Sequence, residues 1–169
     1  MMKDRDEKGK MNQQFYHEVA GRVANAAAPP NSQILICTVG LPLSGKSTWA
    51  KRQGYPIVCP DEIRRALHGE RYLQLAEPMV WTVATLMVRA LFGAGHERVI
   101  LDACNNTRKQ RDHWSKEFPT VFKVIDTSAE TCLERALNHG DQYIVPIIGR
   151  MAQESEPLAG DGREPQWDY

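Results

Sequence analysis

Neither sign of charge predominates in this chain: 21 Lys and Arg stand against 21 Asp and Glu in 169 residues. That balance excludes a global field that gathers nucleic acid or an anionic membrane, so any contact with a polyanion has to come from a local patch. Cysteine is sparse, and Cys37, Cys59, Cys104 and Cys132 form no C-x-x-C pair. This argues against a zinc site or a redox dithiol and fits reduced thiols in a cytosolic protein. The opening MMKDRDEKGKMNQQ lacks the apolar stretch of a signal peptide, and no uninterrupted apolar run reaches the roughly 18 residues of a membrane span. The expectation is a cytoplasmic protein with no membrane partner. Internal repeats and low-complexity segments are missing too, which disfavours a solenoid and leaves a single core at this length.

What is present is a βα rhythm. Phe15, Val19, Val23 and Ala26 recur at spacings of four, four and three before Pro29 and Pro30, predicting a short amphipathic helix stopped by the prolines. Residues 1–30 are therefore read as a tail with a helix, and 31–169 as the main domain. Gln33–Val39 is a nearly continuous apolar run, as in a strand buried on both faces of a parallel sheet. Further strands are expected at 55–59, 98–102 and 121–126. Helices are expected at about 46–53, 61–67, 78–91, 107–117 and 128–138, and a loop-like tail with a terminal strand from Glu154 onward. The apolar residues from Met79 to Met87 read as core. Strands alternating with helices predict an α/β, three-layer domain with a mostly parallel central sheet.

Gly40-Leu41-Pro42-Leu43-Ser44-Gly45-Lys46-Ser47 fits G-x-x-x-x-G-K-[ST], between the first strand and the first helix of the main domain. Glycines let backbone N–H groups turn inward around a phosphate, Lys46 reaches the β and γ oxygens of a nucleotide, and the Ser47 hydroxyl suits magnesium. Thr48 adds a hydroxyl near the α-phosphate. The expected ligands are ATP and Mg2+. The loop alone leaves open whether the γ-phosphate goes to water or to a substrate.

Further motifs follow in order: Pro60-Asp61-Glu62-Ile63-Arg64 after the second strand, Asp102-Ala103-Cys104-Asn105 after the third, and Glu134-Arg135-Ala136-Leu137-Asn138-His139 ending a helix. With GLPLSGKSTWAKR, this series resembles the polynucleotide 5′-kinase family of P-loop kinases, which includes phage kinases of hydroxymethylpyrimidines within DNA. The resemblance implies a P-loop kinase fold with a helical lid. It also implies Asp61 as general base for the attacking hydroxyl and Arg64 as a contact to a substrate phosphate. Asp102-Ala103-Cys104-Asn105 is similar to the family's Asp-Ala-Thr-Asn, with cysteine in place of threonine, putting Asp102 beside Ser47 as a metal-site candidate and Asn105 at the substrate. Family members carry two lid arginines four residues apart; Arg135 matches the first, His139 stands at the second, and Arg150 is a further lid cation. A carboxylate at the carboxyl end of a parallel strand faces the crevice where ligands bind, which supports Asp61 independently.

Arg108, Lys109, Arg111 and Lys116 give the helix at 107–117 a modestly basic face. His17, His68, His96 and His113 lack metal-ligand spacing and read as polar surface residues. The resemblance favours DNA or RNA as the substrate, with a polynucleotide 5′-hydroxyl as acceptor. Hydroxymethyluracil within phage DNA, a small-molecule alcohol, and a non-kinase NTPase switch remain open. Lys46→Ala is expected to remove phosphate engagement itself, read as loss of ATP binding in a nucleotide titration.

Overall fold

A computed structural model describes residues 32–158; the helix expected before Pro29 lies outside them, as does the tail beyond residue 158. In chain order the elements are β1 (Ile34–Val39), α1 (Lys46–Arg52), β2 (Ile57–Val58), α2 (Pro60–His68), a 3-10 turn (Gln74–Ala76) and α3 (Glu77–Gly93). There follow β3 (Arg98–Leu101), α4 (Arg108–Glu117), β4 (Thr120–Val124), α5 (Ala129–Asn138) and α6 (Val145–Gln153). The four strands order as β2-β3-β1-β4 with every neighbouring pair parallel. This is the α/β domain with a parallel central sheet that the alternating pattern predicts.

The alternation of side chains along β1 builds two layers. Leu35, Cys37 and Val39 join Val99, Leu101 and Phe122 on one face, covered by Ile63 of α2, by Val80, Ala84, Val88 and Phe92 of α3, and by Trp114 of α4. Ile36 and Ile100 face the other way, toward Ala50 and Trp49 of α1. With β1 central and paired on both sides, its inner residues are shielded from water on every side, which is why the segment reads as an unbroken apolar run. Strand order reverses at β1, and the crevice at such a reversal opens beyond the carboxyl ends of the strands. The phosphate loop starts there.

Several elements differ from expectation. Helix α6 is absent from the expected set; it has Pro146 in its first turn and packs through buried Ile148 against Cys132 and Ala136 of α5. Strand β2 is shorter than the predicted 55–59. It is an edge strand, and Pro56 there contributes only its carbonyl, 2.8 Å from the Ile100 N–H. Residues Gln74–Gly93 form a helical stretch apolar enough in composition to span a membrane, which a search for uninterrupted apolar runs passes over. Its inner face is nevertheless fixed to the sheet through Val80, Ala84, Val88 and Phe92. Met79 and Met87, expected in the core, are exposed.

The basic face expected on α4 loses Arg111, which is 1 % exposed. Its guanidinium donates to the carbonyls of Asn105 (3.2 Å), Asn106 (3.0 Å) and Pro157 (3.2 Å), tying the β3–α4 connection to the segment after α6. Removing a buried charged donor leaves carbonyls unsatisfied. Arg111→Ala is expected to destabilise the fold by about 3 kcal/mol, measured as a lower urea midpoint.

Candidate active site

The loop from Gly40 to Ser47 leaves β1 and turns into α1. Gly40 has φ +149°, and a β-carbon there would lie 2.7 Å from the Ile125 carbonyl oxygen, so only glycine fits. Gly45, at φ +108°, and Leu43, at φ 63°, hold left-handed backbone as the loop curls. The Gly40 N–H donates to Cys104 O at 3.0 Å. The Asn106 amide, oriented to satisfy both its atoms, donates to Gly40 O (3.1 Å) and Cys104 O (2.7 Å). On the far side, the Thr127 hydroxyl donates to Ser44 O at 2.9 Å. Segments following β3 and β4 thus brace the loop.

Two cations lie on the loop. Lys46 Nζ donates to Leu41 O at 2.6 Å, and Arg135, from α5, donates to Leu43 O at 2.8 Å. The fold brings the lysine of the motif and an arginine nearly ninety positions later to the same turn. Ser44 Oγ is buried with no hydrogen-bond partner. Together with the Gly40 cradle, that unpartnered hydroxyl fits a loop shaped around an anion. Beside it, a cleft of about 390 Å³ is lined by Gly40, Leu41, Asp126, Thr127, Ser128 and Pro157, among others.

Asp102 sits at the end of β3, buried, its N–H on Val58 O at 2.9 Å. Cys104 lies two residues further on. Burial pushes its thiol up, while the Lys46 ammonium, which also hydrogen-bonds it, pulls it back; the charges of Asp61 and Asp102 act on it as well. Lys46, Asp61 and Asp102 therefore share one electrostatic neighbourhood.

Asp61 does not cap its helix: Cys59 is the N-cap, and Asp61 stands exposed in the first turn, where its charge meets the positive end of α2. It accepts from Arg64 Nη1 at 2.6 Å. Arg64 is neither exposed nor free. Its Nε and Nη2 each donate at 2.7 Å to the two carboxylate oxygens of Glu77, and its guanidinium lies 5.8 Å from the centroid of Trp81. Glu77 was not legible from any motif; its only signal is an acid at the start of a long apolar helix. A second ion pair joins Arg71, after α2, to Asp141, between α5 and α6, at 2.7 and 2.6 Å, with Tyr143 beneath Arg71. This pair links the segment after α2 to the turn between α5 and α6.

Asn105, expected at the substrate, is buried with φ 46° and donates to Thr38 O at 2.9 Å, so its side chain fastens the end of β1. The cap of α4 is Thr107, in a reciprocal capping box with Gln110. His139 is the exposed C-cap of α5, and Arg150 is exposed on α6; among the described residues neither hydrogen-bonds the phosphate loop. His68, read as surface, has both ring nitrogens buried and unpartnered.

With this geometry in hand, comparison with known proteins gives the family. The AAA domain family model matches residues 35–146, and the chain belongs to that family. No curated protein sequence matches significantly. Among solved structures, a chain of the Pnkp1/Rnl/Hen1 complex is similar, with TM-score 0.54 and 27 % identity over 66 % of this chain and 41 % of that one. A chain of the Pnkp1/Rnl/Hen1 RNA repair complex aligns with TM-score 0.55 and 19 % identity over 78 % of this chain and 48 % of that one. A gluconokinase from Sinorhizobium meliloti 1021 aligns with TM-score 0.52 and 20 % identity over 81 % of each chain. The chain spans less than half the length of the two Pnkp1/Rnl/Hen1 chains. The domain has the α/β P-loop kinase fold.

The Glu77 carboxyl is held below its usual value of 4.5, chiefly by its hydrogen bonds from Arg64. A carboxylate with a depressed folded pKa adds stability that is present above the unfolded value and is lost as pH falls through the folded one. Glu77→Gln is expected to cost about 1–2 kcal/mol at pH 7. The gap from wild type should close below pH 4.5, measured by urea unfolding across pH.

Proposed function

We propose that this domain transfers the γ-phosphoryl group of ATP to a hydroxyl of a nucleic acid, with a polynucleotide 5′-hydroxyl as acceptor. The observation that carries the reading is the convergence of Lys46 and Arg135 on the Leu41 and Leu43 carbonyls of one glycine-bounded loop, with the Asp61–Arg64 pair on the neighbouring helix. Similarity at 27 % identity to a chain of the Pnkp1/Rnl/Hen1 complex supports the choice of acceptor.

In this reading the loop from Gly40 to Ser47 cradles the nucleotide phosphates through its N–H groups, with Thr48 nearby. Lys46 swings from Leu41 O onto the β and γ oxygens, and Arg135 leaves Leu43 O to neutralise the transferring group. Asp61, exposed and held in place by Arg64, accepts the proton of the attacking hydroxyl. Arg64, kept in its orientation by the fork of Glu77, positions the acceptor. Arg150, on α6, is a further cation on the lid side. The Ser47 hydroxyl and the Asp102 carboxylate would hold Mg2+, a hard-oxygen donor pair that suits this ion, which would neutralise charge on the nucleotide phosphates. The exposed aromatics Tyr72 and Tyr143 beside Arg71 are groups on which a base can stack.

A small-molecule alcohol is the second reading. The observation favouring it is that Arg64 and Arg71 are each engaged by carboxylates, Glu77 and Asp141, which leaves less cationic charge for a polyanion.

Incubation with γ-labelled ATP and magnesium separates the readings when the acceptors are 5′-hydroxyl DNA and RNA oligonucleotides, hydroxymethyluracil-containing DNA, and small alcohols including gluconate. Label on the oligonucleotide 5′ end is the expected result. Label only on an alcohol transfers the reading to a small-molecule kinase, and label on none sinks the kinase assignment. Asp61→Asn is expected to lower transfer by about 10²–10⁴-fold with ATP binding retained; undiminished transfer would reduce Asp61 to a partner of Arg64.

A further inference from the structure

The helices that carry the charged groups of the site are packed into different parts of the core. Helix α2, with Asp61 and Arg64, packs through Ile63 onto the face of the sheet that α3 covers. Helix α5, with Arg135, packs against α6 in a separate cluster of Cys132, Ala136 and Ile148. The proton acceptor and the arginine of the reading above therefore stand on separately packed helices, and their mutual placement needs a contact outside either cluster.

Arg71 and Asp141 supply one. Arg71 follows the end of α2 at His68, and Asp141 follows the end of α5 at Asn138. Their side chains meet in a two-point fork of 2.7 and 2.6 Å, with the guanidinium 5.4 Å from the centroid of the Tyr143 ring. The Asp141 carboxylate also accepts from the N–H groups of Ile144 and Tyr143, which fixes it at the turn into α6, and Arg71 feels the charge of Asp61. Among the described residues no other ion pair crosses between these two groups of helices. The side chains are 52 % and 22 % exposed, so the pair adds little to stability. Two parallel N–H···O bonds nevertheless permit one mutual orientation. A contact that is weak in energy and specific in geometry suits setting a distance better than holding a fold.

We propose that Arg71 and Asp141 form a strap between the α2 and α5 sides of the site that positions Asp61 against Arg135 for phosphoryl transfer. Both are positioning residues, acting through the helices they join, and the proposal rests on the roles given above to Asp61 and Arg135. A misplacement of about 1 Å between reacting groups costs up to about 10²-fold in rate. Breaking the strap is therefore read in kcat, whereas ATP, held by the phosphate loop, binds as before.

The test uses the full chain and, at saturation, the acceptor that takes label in the assay above. Arg71→Ala and Asp141→Ala are each expected to lower kcat by about tenfold with KM for ATP changed by less than about twofold. The double variant is expected to lose no more than either single one, because both remove the same contact. Unchanged kcat in the single variants, a loss confined to KM for ATP, or additive losses in the double variant each overturn the proposal. Asp61→Asn impaired beside unaffected strap variants would do so while leaving the general-base reading intact. A second measurement needs no acceptor. Nitroxides carried on p-acetylphenylalanine in place of Glu62 and Glu134, both exposed, report the separation of α2 and α5 by double electron–electron resonance without labelling the native cysteines. The distance distribution is expected to be narrow in the otherwise wild-type chain and to broaden with Arg71→Ala. The same distribution in both overturns the strap whether or not any acceptor takes label.

Discussion

Gly40 meets the Ile125 carbonyl so closely that no side chain fits between them, and the rest of the site depends on that contact. It pins the start of the phosphate loop to the end of β4, while Cys104 O and the Asn106 amide hold it from the side of β3. A parallel sheet gathers the carboxyl ends of β1, β3 and β4 at one edge, and the loop is the place where all three meet. Backbone N–H groups can point at an anion there only because their own carbonyls and neighbours are held by other parts of the chain. The loop's conformation is thus a property of the sheet edge as much as of its glycines.

Around that fixed point, charge is arranged in pairs. Lys46 and Arg135 rest on loop carbonyls, Arg64 is locked by Glu77 and shared with Asp61, and Arg71 is matched by Asp141. The pairs differ in burial and therefore in what they do. The Arg64–Glu77 fork is mostly enclosed and fixes orientation, since a bidentate pair has one geometry. Arg71 with Asp141 is more exposed and spans from the α2 side to the corner between α5 and α6, so its energy is modest. A chain with no net charge can in this way present local cationic groups to phosphates without the solubility and folding costs of a strongly basic surface.

The sequence disclosed most where its signals are local. The glycine loop, the buried run of β1 and the start of each crossover helix are written in consecutive residues, because turn geometry and hydrophobic period are set over a few positions. The signals failed where a residue's partner lies far along the chain. Asn105 looked like a group facing a substrate, yet it bonds the Thr38 carbonyl, and Arg111 looked like surface charge, yet it is buried and knits three carbonyls together. Glu77 carries no motif, and its importance appears only when α3 sets it against α2. Helix α6, opened by Val145-Pro146 and interrupted by Gly149, is fixed by the docking of Ile148 against α5.

By itself, then, the sequence determined the class of domain and its nucleotide loop, since a strand, a glycine turn with lysine and serine, and a helix are contiguous and enforce one local geometry. Only the tertiary structure decided which charged residues gather at the loop and which are committed to the interior. Arg135 reaches Leu43, Arg64 turns to Glu77, and Asn105 turns inward because the parallel sheet and its crossovers bring together segments tens of residues apart. Spacing along the chain encodes the period of an element, whereas the meeting of two elements depends on the packing that joins them.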